Sequence, residues 1–228
     1  PRTPSALPAS LSDAVRLPFR DFFVRSGAGR AVLILSFVVF FRYGDALAQN
    51  MVTPFLLQIG YTSSDIGAVQ GGLGLGATIV GVLLGGGVVM RIGIGWSLLV
   101  LGLIQAFSNL VYYGLALIPD HYPLMVFAII IENLSGGLGT AAFVAFLMSL
   151  CSHAFSATQY ALLSSLNAVS RDLLVAPSGA VAESTGWPVF FLLTLAAAVP
   201  GMVILLVLRP WRDRAGMHQH GALQRKHS

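Results

Sequence analysis

Residues 129–150 read IIIENLSGGLGTAAFVAFLMSL, a run long enough to cross a bilayer, since ~20 apolar residues in a helix span the ~30 Å hydrocarbon core. Glu132 and Asn133 interrupt it near the middle of the span to which they belong. A charge near the bilayer centre costs at least about 2.5 kcal/mol, and those that persist face a polar partner or a water-filled cavity. Ser135, Gly136, Gly139 and Thr140 follow at helical spacing, which lets a second backbone come close or leaves room for another molecule. What Glu132 faces is the question the other spans must answer.

The composition decides the class. Of 228 residues, 56% are hydrophobic and 10% charged, with a mean hydropathy of +0.80, which excludes a soluble domain and makes the chain an integral membrane protein. Barrel strands alternate over ~10 residues, whereas these apolar runs are continuous, so the fold is all-α. The net charge of +4 does not imply nucleic acid, because the basic residues gather at helix ends, where topology accounts for them. No cofactor or metal is expected. The single cysteine, Cys151, precludes an intrachain disulfide and reads as a small buried residue, and His218, His220 and His227 sit in a basic tail that solvent accounts for. The first residues lack the apolar core of a signal peptide, and a chain starting at Pro1 reads as a fragment or a trimmed protein.

Three regions follow: a cytoplasmic amphipathic connector at 1–30, a six-helix transmembrane bundle at 31–209 and a cytoplasmic basic tail at 210–228. In the connector, Arg16, Arg20 and Arg25 suit headgroups while Leu17, Phe19, Phe22 and Phe23 dip inward; an ordinary solvated linker is the alternative, since Pro18 interrupts a long helix. The six spans are about 31–57, 64–90, 96–118, 123–151, 158–182 and 187–208. Of the thirteen Arg and Lys, Arg42 and Arg171 lie within spans, and the rest fall on the side of the termini. The opposite loops carry Asp120 and Glu183. By the positive-inside rule both termini are cytoplasmic.

Grouped in threes, the spans repeat. The first and fourth carry charge beside glycine, the third and sixth are the most uniformly apolar, and the second and fifth open with what read as capping boxes, Thr62 to Asp65 and Ser156 to Gln159. One of these starts is outside and the other inside, so the triplets are inverted repeats, as within one half of a major facilitator fold. At ~1.5 Å rise per residue, Arg42, Asp45, Glu132, Arg171 and Asp172 all fall roughly 16 to 21 Å deep. That is the layer where secondary transporters place substrate and coupling ions. Arg42, Asp45, Gln49 and Thr53 form one polar stripe on the first span, and Ser164, Asn167 and Arg171 another on the fifth. The competing reading is structural, with Arg42 paired to Asp45 within one helix and Glu132 to Arg171 between helices.

Two other signals carry little. The glycines of the second span have no preceding strand and no following Gly-Lys-Ser/Thr, so they do not cradle a nucleotide; four-residue spacing makes them a packing face. Asn133, Leu134, Ser135 and Gly136 resemble the serine motif of rhomboid intramembrane proteases, but that chemistry needs a histidine on a later span, and the last two spans have none.

Residues 40–57 (FFRYGDALAQNMVTPFLL), 72–86 (GLGLGATIVGVLLGG), 132–151 (ENLSGGLGTAAFVAFLMSLC) and 156–165 (SATQYALLSS) together resemble the second half of AmpG-type muropeptide permeases of the major facilitator superfamily. The resemblance implies a proton-coupled symporter of the bacterial inner membrane that imports anhydro-muropeptides (GlcNAc-anhydroMurNAc peptides) for peptidoglycan recycling and β-lactamase induction, hence β-lactam resistance. It also implies a missing N-terminal six-helix half as partner. In that frame Glu132 or Asp45 takes the proton, Arg42 and Arg171 neutralise them or hold peptide carboxylates, and Gln49, Asn133, Asn167 and Asp172 complete the substrate contacts. A carrier of another bulky cargo, similar to acetyl-CoA transporters, is the alternative. The superfamily's G-x-L-A-D-R-x-G loop survives as residues 86–93, GGVVMRIG, with Met90 where the gating Asp stands.

Overall fold

The computed structural model describes residues 11–119, 121–152 and 155–208, with side chains from Arg16 onward. The first ten residues, Asp120, His153, Ala154 and everything from 209 onward, the basic tail included, lie outside the described residues. Among those described, everything regular is helical: α1 Leu11–Ser26, α2 Ala28–Phe40, α3 Tyr43–Gln58, α4 Ser63–Val69, a π-helical turn Gln70–Gly74, α5 Leu75–Leu117, α6 Tyr122–Leu150, α7 Ser156–Val175, α8 Ser178–Thr185 and α9 Trp187–Leu208.

Among the described residues, four stretches are long and apolar enough to cross a membrane: Ala28–Gln58, Ser63–Leu117, Tyr122–Leu150 and Trp187–Leu208. The second, at 55 residues, would extend about 80 Å if straight. It bends at Gly93, whose φ of 82° and ψ of 165° are non-helical. A side chain is strained at that φ, so the last glycine of GGVVMRIG makes the turn where a five-residue loop was expected. Ser97 Oγ donates to the Gly93 carbonyl at 2.7 Å.

Two of the expected spans are discontinuous and a third changes its winding, which their apolar patterns did not show. The first breaks between α2 and α3 at Phe41 and Arg42, the latter at φ −106°, ψ 14°. The second contains the π turn. The fifth breaks at Ala176 and Pro177 into α7 and α8, with Pro177 leaving the preceding turn one donor short.

Apolar burial does not drive helices together in lipid as it does in water, so close backbone approach must contribute. Along α5 and α6, a Cβ on Gly81 would stand 3.1 Å from Gly137 Cα, and one on Gly85 would stand 2.8 Å from the Leu138 carbonyl oxygen. Side chains there would wedge the two helices apart. α9 seals the α2–α3 break in the same manner, with Gly201 against Phe40 and Phe41 and Gly44 against Thr194 and Ala198.

Two apolar cores result. One gathers Phe22, Phe37, Phe41, Leu98, Phe143, Phe146, Leu163 and Leu205; the other gathers Phe55, Ile66, Tyr112, Met125, Ile129, Phe190 and Phe191. Phe41 stacks on Phe143 at 5.6 Å and Tyr112 on Phe191 at 5.4 Å. A band of buried polar side chains separates the cores.

α1 is one continuous helix. Pro18 does not interrupt it, and Phe22 is buried in the first core while Leu17 and Phe19 are exposed. The second capping box is also corrected. Thr62 does cap α4, accepting from the Asp65 amide at 3.1 Å and donating to its carboxylate at 2.6 Å. Gln159 caps nothing, because α7 already begins at Ser156 and its N-cap is Phe155. Its amide instead donates to the Pro18 carbonyl at 3.0 Å and to Asp21 at 2.9 Å, and its oxygen accepts from the Ser152 amide at 2.6 Å. It ties α1 to the α6–α7 connection.

Candidate functional site

The site is built around the break between α2 and α3. Arg42 Nη1 donates to Thr140 Oγ1 on α6 at 2.8 Å, and Nη2 donates to Asp45 Oδ2 at 3.2 Å. Asp45 occupies the first turn of α3, where free amide groups and the helix dipole favour a negative charge. It is 6% exposed. Thr140 in turn donates to the Gly136 carbonyl at 2.7 Å.

Glu132 is buried at 5% exposure and faces α5. Its Oε2 accepts from the Tyr112 hydroxyl at 2.5 Å. The Glu132–Arg171 pair of the competing structural reading is not formed, since Arg171 Nε instead meets the adjacent Asp172 at 3.3 Å, both exposed. Ser135 donates to Ser108 at 2.9 Å and lies 2.9 Å from the Glu132 carbonyl. Its hydroxyl is committed to serine and backbone, not to a histidine, which removes the protease reading.

The third span is not uniformly apolar at this level. Gln105, Ser108, Asn109 and Tyr112 are all buried on the face of α5 turned toward α6, and their i, i+3, i+4, i+7 spacing was the signal that could have revealed them. The antiparallel register pairs Gln105 with Gly139, Ser108 with Ser135 and Tyr112 with Glu132. Gln105 also lies beside Asp45.

Outside this band, an open groove of about 220 Å³ between α3 and α7 is lined by Ala46, Gln49, Asn50, Arg171, Asp172 and Val175. Gln49 Nε2 lies 3.7 Å from where a Gly136 Cβ would stand, so the groove reaches α6 over a position with no side chain. Asn50 donates to Ser178 Oγ at 2.9 Å, fixing this wall to α8. Asn167, one turn before Arg171, is half-buried and not part of the lining.

Asn133 lies elsewhere. Its Nδ2 donates to the Ile129 carbonyl at 2.8 Å and its Oδ1 accepts from Thr78 at 3.1 Å, and it packs on Gly74 at the end of the π turn. The structure thus brings Arg42 and Asp45 together, places Gln49, Arg171 and Asp172 in one groove, and sets Glu132 and Asn133 on separate α5 contacts. Tyr112, Gln105, Asn109 and Thr140 belong to the buried band and Asn50 to the groove wall, and none of them was singled out from the sequence. Among the described residues no group of three or more His, Cys, Asp or Glu is placed to hold a metal.

No family model matches the chain. It is 45% identical over 204 residues to the anhydromuropeptide permease of Escherichia coli strain K12, covering 89% of this chain and 41% of that protein. It is 37% identical over 191 residues to a transporter named AmpG 4 of Rickettsia conorii (84% and 45%), and 36% identical over 178 residues to AmpG 1 of Rickettsia prowazekii (78% and 40%). The chain thus spans less than half the length of these curated relatives, which are named as permeases or transporters and not as enzymes. With four stretches able to cross a membrane and these identities, the chain is a multi-pass membrane protein and a homologue of the AmpG-type anhydromuropeptide permeases.

Proposed function

We propose that this chain forms one half of a proton-coupled permease that brings anhydro-muropeptides (GlcNAc-anhydroMurNAc peptides) into the cytoplasm for cell-wall recycling and β-lactamase induction. The observation that carries this is the α3–α7 groove, where Gln49, Asn50, Arg171 and Asp172 stand exposed on a bundle otherwise faced with Leu, Val and Ile. Lipid does not tolerate such groups at depth, so they face water, cargo or protein. An amide pair beside a forked guanidinium suits a ligand rich in sugar hydroxyls, peptide amides and carboxylates. The E. coli relative is named for that cargo.

The chain crosses an inner membrane six times with both termini cytoplasmic. Ser63–Leu117 counts as two crossings because about 80 Å of helix folds back at Gly93. α7 and α8 count as one crossing whose polar face, turned to the groove, lowers its hydropathy. Two inverted triplets, α2 to α5 and α6 to α9, follow, and a second six-helix bundle closes the groove to make alternating access possible. Within that frame Arg42, Arg171, Gln49, Asn167 and Asp172 hold cargo, and Glu132 and Asp45 carry the coupling proton. Asn133 positions the π turn from which the second span approaches the groove.

Uptake of labelled anhydro-muropeptide into membrane vesicles containing the complete permease tests the reading. Accumulation that an uncoupler collapses is expected. Accumulation of a different bulky solute with no competition by muropeptide would assign another cargo.

A further inference from the structure

Asn109 is completely buried, and neither its Nδ2 nor its Oδ1 has a hydrogen-bond partner. Gln105 Nε2, one turn earlier on α5, and Asp45 Oδ1, on α3, lie near each other without closing a direct hydrogen bond. All three side chains are more than nine-tenths buried. Folded proteins leave few such atoms unpaired, and here four come from three residues at one level of the bundle. The register fixes that level: Gln105 presses on Gly139, Ser108 bonds Ser135 and Tyr112 bonds Glu132, with Asn109 on the same face between Ser108 and Tyr112.

The chemistry of the orphans selects their ligand. Gln105 Nε2 and Asn109 Nδ2 are donors, while Asn109 Oδ1 and Asp45 Oδ1 are acceptors. A metal cation would engage only the acceptors and an anion only the donors. Water engages both, and buried water typically makes about three such bonds.

We infer that α3, α5 and α6 enclose a hydrated polar chamber in which water held by Asn109 and Gln105 links Asp45 to the Glu132–Tyr112 pair and passes the coupling proton between them. This rests on the proton-coupled reading above and deepens it. The proton leaves one carboxyl for water as that water gives one to the other carboxylate, so one group gains what the other loses. The ionisable groups facing the chamber are Asp45 and Arg42 at the α2–α3 break, Tyr112 on α5 and Glu132 on α6, with Arg171 of α7 within electrostatic range of Asp45. Asn109 and Gln105 are positioning residues, and the path runs behind the cargo groove instead of through it.

The test uses the complete permease containing this chain, reconstituted in liposomes, with Asn109→Leu and Gln105→Met, which remove the polar atoms at similar volume. Accumulation of labelled anhydro-muropeptide under an imposed pH gradient should fall about tenfold, the scale of one lost hydrogen bond, while counterflow without a gradient stays near wild type. An equal fall in both rates, or a fall in neither, overturns the chamber. Hydroxyl-radical footprinting of the wild type provides a second measurement independent of cargo and of variant folding. Tyr112, Phe55 and Phe191 are all fully buried and touch one another, but only Tyr112 should be oxidised. Protection of Tyr112 equal to that of Phe55 and Phe191 overturns the proposal. Absence of wild-type counterflow overturns the muropeptide assignment instead, and footprinting then decides the chamber.

Discussion

Tyr112 supplies the side-chain hydrogen bond that Glu132 receives, and both are buried. Replacing Tyr112 by Phe keeps the ring stack on Phe191 but strands the carboxyl. A loss of about 1–3 kcal/mol is expected, seen as a lower melting temperature of the purified permease in detergent. Glu132→Gln keeps a partner for the hydroxyl, so it should fold normally, lose gradient-driven accumulation and retain exchange; unchanged accumulation would remove Glu132 from coupling. Arg171 is more than half exposed. Arg171→Ala should therefore leave the melting temperature unchanged while weakening uptake, and preserved uptake would separate the groove from cargo binding.

At the level of elements, the packing of α5 on α6 depends on glycine at the crossing. Gly81→Ala places a methyl against the Leu134 carbonyl and near Gly137, and overpacking of this kind costs about 1–3 kcal/mol. Reduced folded yield with normal transcript would report it. At the other end, Gln159 and Arg25 hold α1 against the α6–α7 connection, Arg25 by donating to the Leu150 carbonyl. Cys151 lies beneath this junction, its thiol raised by burial against the opposing pull of Arg25. The thiol is thus less ionised at neutral pH than a free one, and maleimide labelling of this single cysteine should be slow and quicken as pH rises. Gln159→Leu should quicken it at constant pH by loosening α1; an unchanged rate would mean that the two Gln159 bonds to α1 do not hold it down.

For the whole molecule, the helical membrane class was legible in composition, and the inward charges in the cost of placing Glu132, Arg42 and Asp45 in apolar runs. The breaks were not. The α2–α3 break depends on α9 packing Gly201 and Gly44 against it, a contact distant in sequence that no local periodicity reports. Gln105 and Asn109 were overlooked because two amides hardly lower the hydropathy of their span, although their spacing gave them one face. Gln159 matched a capping pattern by sequence alone, and only α1, more than 130 positions away, explains its conformation. Gly93 has the clearest global role, since its positive φ lets one long helix return across the bundle. Gly93→Ala should cost about 1–3 kcal/mol, read as a lower melting temperature.

The two aromatic-rich cores that sandwich the polar band give the bundle two separate centres of cohesion. Drawn out of a bilayer by one end under an atomic-force tip, it should yield in two rips with a pause at the band, whereas a single continuous greasy interior would release in one.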